Sequence, residues 1–190
     1  MNWTDERDAL LSAAPVAPEA LRDVHSPGLY AWWDLHGALT PFWPARFPDV
    51  VTSRPLYVGI AKTTLAVRGS EMHLKTTRMS TLRRSLVALL VDELELRDQV
   101  APGPGQKFGL TAEGDSLLTH WIASNLNVTW HETPAPGTHE RLIVGDLVPP
   151  LNDHFAHEGP YWVAMRDLRS EVRARAAVIR PVGREAEREV

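Results

Sequence analysis

Hydrophobic and polar positions fall into two periodicities along this chain. Three short stretches read as strands. Leu29-Tyr30-Ala31-Trp32-Trp33 is apolar and aromatic and follows the break Ser26-Pro27-Gly28. Pro55 to Ile60 is the second. Asn127 to Thr133, with Val128 and Trp130 alternating, is the third. Helical spacing governs most of the rest. A helix is predicted over 63–74. A longer one is capped by Ser80, carries Leu82, Leu86, Leu89 and Leu90, and runs to about Arg97. Asp115 is a candidate cap for a helix with Leu118, Trp121, Ile122 and Leu126 on one face. Thr138 is another, for a helix that runs through Leu147 and is stopped by Pro149-Pro150.

The ends read as helical too. Residues 4–24 form one or two short helices, the first capped by Thr4 and the second opened by Pro18-Glu19. A last helix spans roughly 161–177 with Met165, Leu168, Val172 and Ala176 on one face, followed by a charged, frayed tail after Arg180. Residues 37–54 are a long ordered loop holding Phe42, Trp43 and Phe47, and Pro102 to Gly105 is a flexible loop. Strand, strand, helices, strand, helix implies an α+β layer around an antiparallel pair rather than a doubly wound sheet.

Composition narrows the class. With 190 residues and 44% hydrophobic positions, the chain can bury a sizeable core without staples. It has no cysteine, which excludes disulfides and Cys-ligated zinc. The N-terminus is acidic and lacks a signal-like apolar run. No stretch reaches the ~18 apolar residues of a membrane span, so a cytoplasmic location is expected. The net charge of −4 argues mildly against nucleic acid, but its distribution argues the other way. Residues 62–84 hold Lys62, Arg68, Lys75, Arg78, Arg83 and Arg84 against one acid, Glu71.

That basic stretch follows the most specific pattern in the chain. Gly28-Leu29-Tyr30 and Tyr57-Val58-Gly59 precede a helix carrying Arg68. Much later come His139-Glu140-Arg141 and Pro149-Pro150-Leu151-Asn152. Over about residues 26–153 this order resembles the GIY-YIG nuclease family. Its two signature halves are followed by an arginine on the first helix, a glutamate opening a late helix and an asparagine after a turn. The resemblance implies a GIY-YIG-like domain with a three-stranded, largely antiparallel sheet flanked by helices. Residues 37–54 would be a loop insertion and 98–126 a helical addition. Residues 1–25 would be an N-terminal helical extension, and 154–190 a C-terminal helix and tail.

The resemblance also implies a metal-dependent endonuclease acting on DNA phosphodiester bonds with one Mg²⁺ or Mn²⁺. Tyr57 would be the favoured proton acceptor with Tyr30 its partner, provided a cation such as Lys62 or Arg68 lowers a phenol pKa from about 10. Arg68 would clamp the phosphate. Glu140 would hold the metal, most of whose shell stays water and phosphate. Asn152 would brace the site by hydrogen bonds. The family often places a His or Tyr one helical turn after the arginine. Here Met72 takes that position, and His73 reaches the site only if the helix is distorted or ends early. Lys62, Lys75, Arg78, Arg83 and Arg84 would track the nucleic-acid backbone, and Trp43 or Phe47 would stack on a base.

Other groups carry less. His154 and His157 lie about one turn apart without an obvious third ligand, and read as surface histidines. Asp92, Glu93 and Glu95 alternate with Leu94 and Leu96 and read as a solvated face. Ser80 and Ser85 have no base partner that sequence identifies. Two rivals stand beside the nuclease: a catalytically weak binding module of the same fold, and a partner-binding protein using a Trp-rich surface. Oligomeric state and substrate form stay open.

Overall fold

The computed structural model describes residues 2–45, 47, 53–105, 107–156 and 159–178. At its centre three strands lie antiparallel: β1 (Gly28–Trp33), β2 (Tyr57–Ala61) and β5 (Asn127–Glu132), in the order β2-β1-β5. The α+β class and the antiparallel pair are as the periodicities predict. Every residue of β1 is buried, so both faces of the central strand are covered. Tyr30 and Trp32 point to a core shared with α3 (Thr81–Leu90), α4 (Ala112–Asn125) and α6 (Trp162–Val178). Leu29, Ala31 and Trp33 point the opposite way, against Leu10 of α1 (Trp3–Ser12) and Ile143 and Val144 of α5 (Glu140–Leu147).

Register sets the site. Tyr30 pairs with Gly59 and Trp32 with Tyr57. Tyr30 and Tyr57 are therefore diagonal neighbours on one face, which long side chains can bridge. Gly59 is required by a close approach, because a Cβ there would overlap the Tyr30 phenol oxygen.

Several predicted boundaries move. Asn2, not Thr4, caps α1 through a reciprocal box with Asp5. Thr111, not Asp115, caps α4, and Asp115 serves a tertiary role in its first turn. Thr138 ends a 3-10 turn, Pro136–Thr138, and α5 starts without a side-chain cap. Helix α3 stops at Leu90, short of Arg97. The Leu96 amide bonds back to the Val91 carbonyl at 2.8 Å, and Glu95 adopts φ 51. The helical addition over 98–126 holds a hairpin as well as a helix: β3 (Val100–Pro102) pairs with β4 (Phe108–Leu110), and Pro102 to Gly105 lies at its turn. The tail after Arg180 lies outside the described residues, as does His157.

The predicted helix over 63–74 is the most informative departure. Ala66–Glu71 is a π-helix, and α2 (Met72–Lys75) continues from it. The Met72 amide bonds to the Val67 carbonyl, five residues back. Such a turn holds one extra residue, so positions five apart become neighbours. This is the distortion that brings His73 beneath Arg68's turn.

Candidate active site

His73 is fully buried on the Tyr face of the sheet. Its ring meets Tyr30, Tyr57 and Trp32 edge-on at centroid distances of 5.4, 5.6 and 5.7 Å. Nε2 lies 2.8 Å from Tyr30 Oη and Nδ1 lies 2.7 Å from Ser80 Oγ. Burial, with Arg68 and Arg83 adding to it, pulls the imidazole pKa down to about 3, so the ring is neutral. Ser80 Oγ also accepts the Arg83 amide at 3.1 Å. The neutral imidazole therefore links the Tyr30 phenol and the Ser80 hydroxyl, one ring nitrogen donating and the other accepting. Ser80 thus has a histidine partner that its sequence context did not reveal.

Tyr30 is wholly buried, whereas Tyr57, 7% exposed, is at the floor of an open cleft. Burial raises both phenols above their ordinary pKa. Arg68 opposes this in each case without prevailing. Lys62, expected to share that task, is exposed and acts on Glu140 instead; Arg84 is the second cation acting on Tyr57.

The cleft measures about 640 Å³ and brings together Tyr57, Arg68, Arg84, Glu140 and Asn152. Asn152 Oδ1 accepts the Val58 amide and its Nδ2 donates to the Val58 carbonyl, both at 2.9 Å. The side chain thus braces the backbone of β2 next to Tyr57. Glu140 opens α5, whose preceding residue is anchored from α1: His139 Nδ1 and Thr133 Oγ1 each lie 2.9 Å from the buried Glu6 carboxylate. The Glu140 carboxylate makes no hydrogen bond or ion pair among the described residues. Desolvation raises its pKa, partly offset by His154, Lys62 and Arg68. His154, read from sequence as a plain surface residue, is exposed but lines this cleft.

The expected backbone-tracking set divides. Arg84 enters the cleft. Arg83 does not: it is fully buried, ion-paired to Asp115 at 2.9 Å and bonded to the His73 carbonyl at 3.0 Å, so it fastens α2 to α4. Lys75 pairs with Glu71 on an exposed face and Arg78 is exposed; neither lines the cleft, nor does Lys62. Trp43 and Phe47 stack on each other at 5.4 Å, and Phe47 packs on Tyr161, so they fill space rather than offer a free platform. The positions that sequence reasoning missed come from α6 and the hairpin: Trp162, Arg166, Arg169, Arg173 and Lys107. Arginines at 166, 169 and 173 recur at helical spacing, a signal present in the sequence.

A family model described as the GIY-YIG catalytic domain matches residues 28–171. The chain belongs to that family. The match begins at Gly28 and ends at residue 171, within α6. No curated protein and no solved structure shows significant similarity to the chain. Membership supports a nuclease-type hydrolase at the family level, with nucleic acid as its substrate. No helix among the described residues is long and apolar enough to cross a membrane.

Proposed function

We propose that this GIY-YIG domain hydrolyses nucleic-acid phosphodiester bonds, DNA by preference, in the cleft lined by Tyr57, Arg68 and Glu140. The observation that carries the reading is convergence. Side chains from β2, the π-helix and α5, far apart in sequence, line one recess, with Tyr30 and His73 directly behind Tyr57.

The donor set fits one hard cation. Glu140 is a half-buried carboxylate with no partner of its own, and no group of three or more His, Cys, Asp or Glu able to hold a metal occurs among the described residues. That suits Mg²⁺ or Mn²⁺, which take one or two carboxylates and fill their shells with water and phosphate, better than zinc. Bound there, the ion supplies positive charge to the phosphate and to the leaving 3′ oxygen.

The chain's own residues do the rest. Arg68 grips the non-bridging oxygens and offsets charge growing on them. Tyr57 is positioned to take the attacking water's proton, once it has lost its own. Burial opposes that loss and Arg68 is the strongest charge favouring it. Tyr30, hydrogen-bonded to His73, holds the ring cluster in place, and Asn152 fixes the strand that carries Tyr57. The test is cleavage of plasmid and single-stranded DNA with Mg²⁺ or Mn²⁺. Glu140→Gln should lower the rate about 100-fold or more, the several kcal/mol of a lost Lewis acid. Metal-dependent cleavage at wild-type rate in that variant would discard the assignment.

One observation favours a second reading, a binding module with little cleavage: both phenols are held above their ordinary range at rest. Steeply salt-dependent binding that leaves DNA intact with either metal would support it.

A further inference from the structure

Side chains of α6 and the β3–β4 hairpin help line the cleft that holds Glu140, and the charges of that lining are unbalanced. Six cationic side chains line the cleft against two carboxylates, although the chain as a whole is at −4. Of the two acids, Asp153 is already taken by Arg169 at 2.8 Å and by the Trp162 indole N–H at 3.2 Å. Arg84 is 9% exposed and has hydrogen bonds to the Arg78 carbonyl and Thr81 Oγ1, yet no ion pair among the described residues. Arg173 and Lys107 likewise have none. A recessed cation without a counter-charge, as Arg84 is on the cleft floor, is costly unless an anion arrives. Half-buried Arg173 and exposed Lys107 extend that positive lining toward the rim, which provides for a ligand carrying several anions in a row.

Shape selects among such ligands. The cleft's volume, about 640 Å³, is on the scale of a small-molecule site rather than a duplex-binding face. Its floor residues Tyr57, Arg84 and Asn152 are each under 10% exposed. A phosphate reaches them only if the strand carrying it enters the recess, which base pairing on a rigid duplex opposes. Trp162 also lines the cleft, with Arg166 at 4.9 Å over its ring and its N–H on Asp153, so it holds two of the lining side chains in place.

We infer that α6 and the hairpin form a strand clamp. Arg84, Lys107 and Arg173 hold successive phosphates of a single-stranded nucleic acid, and the adjacent phosphate is delivered to Arg68 and Tyr57. The inference rests on the hydrolytic reading for the last of these steps only; the grip itself is independent of cleavage.

The experiment uses the full chain in EDTA with a fluorescein-labelled 20-nucleotide single strand lacking self-complementarity and its blunt 20-base-pair duplex. Dissociation constants are read by anisotropy over a range of NaCl. The single strand should bind at least tenfold tighter. The double variant Lys107→Ala/Arg173→Ala should weaken that binding about tenfold and flatten the salt slope by about 1.4, two phosphate contacts on a single strand. Lys107→Arg/Arg173→Lys should keep the wild-type slope, which separates lost charge from lost folding. Duplex bound as tightly as single strand, or an unchanged slope in the alanine double variant, overturns the clamp. Adding Mn²⁺ afterwards distinguishes the two readings. A clamp with no cleavage leaves this inference standing and removes the hydrolytic one. Cleavage with an unchanged slope does the reverse, and failure to bind any nucleic acid removes both.

Discussion

The two faces of β1 are equally dry and do different work. On one, Leu29, Ala31 and Trp33 meet Leu10, Ile143 and Val144, and the contents are almost wholly apolar. On the other, Tyr30 and Trp32 enclose a neutral histidine hydrogen-bonded at both nitrogens, and a cleft opens just beyond it. Removing water from the first face strengthens packing. On the second it also sets protonation: the imidazole is held neutral and the phenols are held protonated. A single strand therefore joins a purely cohesive layer to a chemically poised one, and each should be breakable without the other.

The largest separation is expected from Leu29→Ala. It should cost about 2–5 kcal/mol of unfolding free energy in urea titration, while the cleavage rate per folded molecule stays near wild type. Arg68→Ala should do the opposite. Loss of one positioned donor lowers the rate about 10²–10³-fold, with little change in the melting temperature. Comparable losses of both properties in either variant would erase the distinction between the faces.

Protonation gives a third handle. The unfolded chain's His73 takes up a proton below about 6.5, whereas the folded site resists until about 3. Stability attributable to this group is thus lost as pH falls from about 6.5 toward 3, at up to about 1.4 kcal/mol per pH unit. Denaturant titrations should show a steeper acid decline for wild type than for His73→Gln. Parallel curves would deny His73 its buried, neutral state. Glu140 adds a functional counterpart: its carboxyl pKa is raised, so metal-dependent cleavage should disappear, on acidification, at a higher pH than an ordinary glutamate would give. The smallest effect is expected at Lys75, exposed and outside the cleft. Lys75→Ala should leave oligonucleotide affinity within about twofold.

The fold was legible where local chemistry and tertiary demand agree. The aromatic strands and the Ser80 cap both follow from short-range rules. The hairpin was hidden because three-residue strands around Pro and Gly resemble a loop. His73 looked out of phase because the helix predicted over 63–74 was read at α-helical spacing, whereas Ala66–Glu71 is a π-helix with one extra residue in its turn. Charge misled in both directions. Arg83 belongs to a basic run yet is locked inside by Asp115, whereas Arg166 and Arg173 are spaced a turn or two apart and reach the cleft together. Counting charges along a run finds the first kind. Following them around a helix finds the second.

The most direct test is a crystal soaked with Mn²⁺ and measured for anomalous scattering. The account predicts a peak on the Glu140 carboxylate, facing Tyr57 and Arg68 across the cleft, and its loss in Glu140→Ala. A peak elsewhere on the molecule, or one that persists in that variant, would contradict it.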